Sequence, residues 1–268
     1  MTLELDHVGI GEEPGAPLPV VSAVAAPGRP GVLAVETEQA PVLASLVAGG
    51  RMQPDTGRLL LDGHEDPAAV RRAFALVDTP GIAEPFPVLT LKQIVREELA
   101  FAGQRPNRQH VDTVLDELGL RDYVDTAVQR VPTAVRIRLL VELALLRDGV
   151  TGIVITSPER HGGAVEDWFQ VVRDVARRGV TVVLVTSKAA AATVEHLLDT
   201  IETHDDVVTH DDVATPGVAE TPGVAETLVT PQTEDPEDVA RTDGTEPGLP
   251  AAPSVTTASA TVPTEAQK

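Results

Sequence analysis

Cysteine is absent from this sequence, and aromatic residues are scarce. The 268 residues contain no cysteine, one tryptophan, one tyrosine and four phenylalanines, although 42% of the residues are hydrophobic. The absence of cysteine excludes disulfides, thiolate metal sites and a catalytic cysteine. The core therefore has to be built from valine, leucine, isoleucine and alanine, a composition typical of buried parallel strands that are covered by helices.

Long apolar runs and positive charge are also lacking. No apolar run approaches the ~20 residues that span a bilayer, and the first residues, MTLELDHVGIGEEPG, lack the basic and apolar regions of a signal peptide. The net charge of -20 argues against direct binding to nucleic acid or to anionic lipid. We expect a cytoplasmic protein with no nucleic-acid partner and no direct membrane insertion, which reaches a membrane only through another protein.

The composition changes near Thr203. Beyond it apolar periodicity stops, and two short duplications follow, THDDV at 203 and 209 and TPGVAE at 215 and 221. Such a segment buries too little apolar surface to offset the entropy of ordering. The sequence therefore predicts a folded domain over residues 1–203 and a disordered, acidic tail rich in Pro, Thr and Ala over residues 204–268. The two His-Asp-Asp runs of this tail are interpreted as solvated repeats and not as a cation site.

Strand and helix patterns alternate before that boundary. Short runs rich in β-branched residues predict buried strands: LELDHV (3–8), GVLAV (31–35), FALV (74–77), GIVIT (152–156) and TVVLVT (181–186). Amphipathic patterns predict helices at 41–49, 92–102, 111–119, 134–148 and 164–179. This order indicates an α/β fold with a mainly parallel sheet and flanking helices, and with a helical insertion over about residues 86–147.

Four segments and their spacing carry a resemblance to a known family. They are LVAGGRMQPDTGRLLLDG (46–63), VLTLKQIVREELAFAG (88–103), RIRLLVELALLRD (136–148) and VTVVLVTS (180–187). Together they resemble the nucleotide-binding subunit of ABC transporters, the ATP-binding cassette ATPases, over about residues 2–203. The resemblance implies a P-loop NTPase-like fold with a small antiparallel N-terminal β part. It also implies that the helical insertion is the docking surface for a membrane subunit.

The residues at the position of the family's phosphate loop lack the groups that bind phosphate. The family needs glycines whose N–H groups cradle phosphates, a lysine, and a hydroxyl that holds Mg²⁺, but residues 34–42 read AVETEQAPV. Ala40 replaces the lysine, and Pro41 and Val42 replace the hydroxyl positions. Glu36 and Glu38 add negative charge where a nucleotide would bring its own. We interpret this stretch as a plain helix start, with Pro41 in the first turn.

The remaining motifs are degenerate as well. The residues at the place of the signature motif are VPTAV (131–135), and Thr156 and Ser157 stand where the family has its Asp-Glu pair. Thr79 stands at the glutamine-loop position. Ser187 and Lys188 replace the switch histidine and its neighbour. The sequence therefore predicts no catalytic residue, no cofactor-binding residue and no metal ligand.

Two other catalytic patterns lack an essential part. VDTPG (77–81) resembles a GTPase switch, but the phosphate-loop lysine is missing, so we interpret it as a strand that ends in a turn. Ser157, Glu159 and His161 are close in sequence without a nucleophile elbow, which favours a polar loop. Arg136 and Arg138 are expected to be exposed on their helix.

The function indicated is a non-catalytic subunit that partners a membrane permease or an active ABC ATPase. Two alternatives stay open: a subunit that retains weak ATP binding or hydrolysis, and a soluble scaffold unrelated to transport.

Overall fold

In the part of the chain that the structure describes, seven strands form two sheets. The computed structural model describes residues 1–36 and 38–210, with the backbone alone for 201–210. The strands are β1 (Leu3–Ile10), β2 (Leu18–Ala25), β3 (Gly31–Ala34), β4 (Thr56–Leu61), β5 (Phe74–Val77), β6 (Gly152–Thr156) and β7 (Thr181–Thr186). Strands β3, β7, β6 and β5 form, in that order, a parallel sheet, and β2, β1 and β4 form an antiparallel sheet.

Helices connect the strands. They are α1 (Ala40–Ala48), α2 (Pro67–Ala73), α3 (Leu91–Phe101), α4 (Arg108–Glu117), α5 (Thr133–Leu145), α6 (Val165–Arg177) and α7 (Lys188–His210). Helices α3, α4 and α5, with short 3-10 helices at Arg121–Tyr123 and Val128–Arg130, occupy the connection between β5 and β6. A further 3-10 helix, Pro158–His161, follows β6.

The parallel sheet is buried on both faces, which explains its continuous apolar strands. Ile153 and Ile155 of β6 pack on the side of α3, α4, α5 and α6. Val154, between them, packs on the other side against α1 and the antiparallel sheet. Because successive side chains of a strand point to opposite faces, a strand covered on both sides has to be apolar at every position.

The fold class is confirmed as α/β, with a mainly parallel sheet, a small antiparallel β part and flanking helices. The five predicted strands and five predicted helices are present: β5, β6 and β7 have the predicted ends, and no end of the others is shifted by more than three residues. Strands β2 and β4 and helices α2 and α7 were not predicted as individual elements. None of the helices in the described part of the chain is long and apolar enough to cross a membrane.

The last helix differs from the predicted boundary. Helix α7 continues through Thr203 to His210, so the chain remains helical at the point where apolar periodicity stops. The first His-Asp-Asp run lies within this helix, where the structure describes the backbone alone. The predicted tail spans residues 204–268: residues 204–210 belong to this helix, and residues 211–268 lie outside the described residues.

Candidate functional site

The carboxyl edge of the parallel sheet brings the family motif positions together. Ala34 pairs with Thr186, Thr156 with Val185 and Val77 with Ile155, so the four strands end at one level. In open parallel sheets this edge is where ligands bind. The residues that follow these strand ends therefore form the candidate site.

Three buried hydroxyl groups form a chain beneath this edge. The hydroxyl of Thr156 lies 2.7 Å from that of Ser45 and 2.8 Å from that of Thr79, and Ser45 donates to the carbonyl of Pro41 at 2.8 Å. Ser45, Thr79 and Thr156 are each 0% exposed. Because each hydroxyl carries one proton, Thr79 donates to Thr156 and Thr156 donates to Ser45. We call these three residues the hydroxyl chain; it is uncharged, and each of its protons has an acceptor.

The phosphate-loop positions connect β3 to α1. Strand β3 ends at Ala34 and α1 begins at Ala40, with Pro41 in its first turn, as the helix-start interpretation expects. Glu36, however, accepts a hydrogen bond from the backbone N–H of Lys188 at 2.7 Å, so its carboxylate lies at the start of α7.

A second carboxylate lies at the same end of α7. Glu159 accepts from the backbone N–H of Ser187 at 2.7 Å and from the hydroxyl of Thr186 at 2.8 Å. A helix N-terminus favours negative charge. Carboxylates from the β3–α1 connection and from the 3-10 helix after β6 therefore accept hydrogen bonds from N–H groups at the edge where the sheet meets α7.

A buried ion cluster lies beside the hydroxyl chain. Asp78 follows β5 with a left-handed backbone (φ 56°) and is 0% exposed. Arg136 donates to both of its carboxylate oxygens, at 2.7 and 2.9 Å, and His161 bonds one of them at 2.8 Å. Arg160 lies 3.0 Å from the Asp78 carboxylate and 2.8 Å from the carboxylate of Glu84. These five residues are called the Asp78 cluster.

The expectation that Arg136 is exposed was wrong. Arg136 is 2% exposed, whereas Arg138, on another face of α5, is exposed as expected. A signal for this burial was present in the sequence, because Arg136 precedes the buried Leu139 and Leu140 by three and four residues and so lies on the same helix stripe. What the sequence did not reveal was the partner carboxylate, 58 positions away.

Ser157, Glu159 and His161 make separate contacts. His161 contacts Asp78, Glu159 contacts the end of β7, and the backbone N–H of Ser157 donates to the carbonyl of Val185. This division is consistent with a polar loop. Asp78, Glu84 and His161 offer ligand atoms within 4.8 Å of one another, but a metal ion would compete with Arg136 and Arg160 for the same oxygens. The arrangement fits an ion-pair network better than a metal site.

A groove opens beside the Asp78 cluster. It is a cavity of about 550 Å³ between the chain after β5 and helices α3 and α5. Asp78 and Glu84 line it, together with Ile82, Phe86 and Phe101, which are 51%, 76% and 75% exposed. Exposed aromatic side chains around a concavity are typical of a protein-binding surface.

The Asp78 cluster makes stability depend on acid pH. Burial would raise the pKa of Asp78, but hydrogen bonds from His161 and Arg136 outweigh burial and lower the pKa from 3.8 to about 2. A carboxylate with a lowered folded-state pKa contributes about 2 kcal/mol above its unfolded pKa, and this contribution is lost as pH falls from about 4 to 2. We expect Asp78→Asn to cost more stability at pH 6 than at pH 2.5, measured by urea unfolding. An equal loss at both pH values would contradict this assignment.

Two solved structures, both named for the ATP-binding part of an ABC transporter, match this chain. One, from Pyrococcus furiosus, is named as an ABC transporter ATP-binding protein; it is 11% identical, with 70% of this chain and 92% of that chain covered and a TM-score of 0.50. The other is described as the ATP-binding subunit of an ABC transporter; it is 18% identical, with 72% and 82% covered and a TM-score of 0.46. No protein-family model and no curated protein matches the sequence. The chain has an ABC ATPase-like fold.

Proposed function

We propose that this chain is a pseudo-ATPase: a non-catalytic subunit that acts as a structural or regulatory partner of a membrane permease or of an active ABC ATPase. The observation that carries the proposal is the hydroxyl chain. At the end of β6, where a family member would place its magnesium ligand, Thr156 is fully buried and hydrogen-bonded within the protein. In this proposal the chain works at the inner face of the cell membrane, bound through its partner.

Electrostatics at the carboxyl edge also supports the proposal. Glu36 and Glu159 accept hydrogen bonds from N–H groups at the start of α7. Neither takes part in an ion pair with a basic side chain among residues 1–36 and 38–200. A triphosphate brought to this edge would meet these charges without the phosphate-loop lysine that neutralises phosphate in the family, since Ala40 stands in its place.

The groove supports the proposed partner role. Phe86 and Phe101 are large, exposed apolar side chains that a partner would cover, and burying such rings supplies much of the energy of protein association. Glu97 also lines the groove and is exposed. This combination fits a docking segment that is apolar and carries a basic residue.

The nucleotide test uses the purified full chain. We expect Mg-ATP to leave its melting temperature unchanged, because a ligand stabilises a protein only by binding its folded state. A ligand present at 100 times its Kd would stabilise the fold by about 2.7 kcal/mol. Saturable stabilisation by Mg-ATP would instead support the alternative of a subunit that retains ATP binding.

The partner test compares two double variants. Phe86→Ser with Phe101→Ser is expected to reduce binding to native membranes at least about tenfold, since interface aromatics each contribute on the order of 1 to 2 kcal/mol or more. Val20→Ser with Val24→Ser is the control, because these β2 residues are also exposed, at 51% and 56%, but do not line the groove. Equal membrane binding by both variants would contradict docking in the groove. No membrane binding by the wild-type chain would favour the soluble scaffold.

A further inference from the structure

One wall of the groove is a loop with few anchors. Residues 80–88 connect the end of β5 to the chain before α3, and they carry the exposed Ile82, Phe86 and Val88. At its start, the N–H groups of Ile82 and Ala83 donate to the carbonyl of Thr79. At its far end the loop is held by backbone hydrogen bonds between Leu89 and Phe86 and between Gln129 and Pro87. The middle of the loop therefore depends on side-chain contacts.

Glu84 supplies the contact in the middle of this loop. Its carboxylate lies 2.8 Å from one terminal nitrogen of Arg160 and 3.7 Å from a terminal nitrogen of Arg136. Within residues 80–88, all of which the structure describes, Glu84 is the residue whose side chain makes a hydrogen bond. The position of the groove wall is thus linked to the Asp78 cluster through one carboxylate.

Arg160 joins the loop to its fixed origin. While one of its terminal nitrogens contacts Glu84, the other donates to the backbone carbonyl of Asp78 at 2.8 Å and lies 3.0 Å from the Asp78 carboxylate. Asp78 is fully buried and is held by Arg136 and His161. A planar guanidinium with several donors is suited to bridging two carboxylates in a fixed geometry.

We infer that the Glu84–Arg160 pair is a latch that holds residues 80–88 in the position that forms the groove, with Arg160 as the positioning residue. The inference rests on the proposed function for its consequence, because the latch sets whether a docking partner finds the groove already formed. The latch and the binding of a partner are then coupled in both directions. If the closed latch favours a partner that contacts Ile82 and Phe86, binding of that partner stabilises the closed latch by the same free energy.

The degree of exposure suits a latch better than a permanent core contact. The side chains of Arg160 and Glu84 are 25% and 26% exposed, whereas those of Arg136 and Asp78 are 3% and 0% exposed. A partly exposed ion pair is weakened by salt, while a buried pair is screened much less. The latch can therefore open while the buried part of the cluster remains intact.

Hydrogen exchange on the isolated full chain tests the latch without a partner. Within residues 80–88 the amides protected by hydrogen bonds are those of Ile82 and Ala83. In Glu84→Gln and in Arg160→Met, we expect exchange of these amides to accelerate about tenfold, which corresponds to a loss of about 1.4 kcal/mol of local stability. The double variant should exchange no faster than Glu84→Gln, because that variant already removes the contacts of Glu84 with both Arg160 and Arg136. Glu97→Gln is the control: it removes a carboxylate that lines the same groove but lies on α3, outside the loop.

The salt dependence of amide exchange is a second measurement, which would not change if Glu84 and Arg160 contributed through packing alone. Raising NaCl from 0.1 to about 1 M shortens the Debye length from ~10 to ~3 Å, so exchange in residues 80–88 of the wild type should approach that of Glu84→Gln, whose own exchange should not change. Unchanged exchange in both single variants, or additive effects in the double variant, would overturn the latch. If exchange changes as expected but the chain binds no membrane partner, the latch is supported and the proposed function is refuted. The failure of the latch can therefore be told from the failure of the proposed function.

Discussion

Arg136→Met is expected to lower the free energy of unfolding by about 3 to 5 kcal/mol, because it leaves the carboxylate of Asp78 buried without its main partner. Arg136 donates two hydrogen bonds to Asp78, and the two side chains are 3% and 0% exposed. Methionine roughly preserves the length of the arginine stem, so the loss reports mainly the missing charge and hydrogen bonds and only slightly a cavity. Urea unfolding of the full chain, followed by circular dichroism, measures the change.

The same helix supplies the control. Arg138→Met changes the same residue type two positions further along α5, but Arg138 is exposed, so its effect should stay within about 0.5 kcal/mol. Adding Asp78→Leu to Arg136→Met should recover part of the loss, because the buried carboxylate that lost its bidentate partner is then removed. If Arg136→Met and Arg138→Met destabilise the chain equally, the ion pair does not contribute as the geometry indicates.

Thr156→Asp is expected to destabilise the chain by about 3 kcal/mol at pH 7, although it restores the carboxylate that an active family member would have. Thr156 is 0% exposed, and its hydroxyl is hydrogen-bonded to two uncharged groups, the hydroxyls of Ser45 and Thr79. A buried carboxylate without a cation carries a large desolvation cost. We further expect Mg²⁺, with or without ATP, to leave the stability of this variant unchanged, as measured by thermal unfolding.

Thr156→Asn separates the effect of charge from the effect of shape. Burial raises the pKa of an introduced aspartate in the folded state above its unfolded value, so the cost of its charge grows as pH rises above about 4. The difference in stability between the aspartate and asparagine variants should therefore be smaller at pH 4 than at pH 7.5. Stabilisation of Thr156→Asp by Mg-ATP would contradict the view that this edge is closed to nucleotide.

The fold was predictable from the sequence wherever one physical requirement dominated a segment. GIVIT and TVVLVT are apolar at nearly every position because β6 and β7 are covered on both faces, and these runs predicted strands with the observed ends. Strand β2 was not predicted, because Val20, Ser22 and Val24 lie on its exposed face and give little apolar contrast. Helix α7 was overlooked because its alanine-rich start has a weak amphipathic pattern.

The candidate site was predictable in its location but not in its contacts. The motif spacing placed Thr79, Thr156 and Ser187 at strand ends, and the parallel register brings those ends to one edge. Asp78 was interpreted as part of a turn, and Arg136 as an exposed residue. Each interpretation follows local propensity, which carries no information about a partner on another element.

The amino-acid sequence by itself determined that a triphosphate would find neither glycines nor a lysine over residues 34–42, since residue identity alone supplies or withholds those groups. It also determined the alternation of strands and helices, because hydrophobic periodicity is local. Only the tertiary structure decided that Thr156 lies within a buried hydroxyl chain and that Asp78 meets Arg136. Such pairings depend on the order of strands in the sheet and on the rotation of each helix against it, which are set by packing over the whole domain.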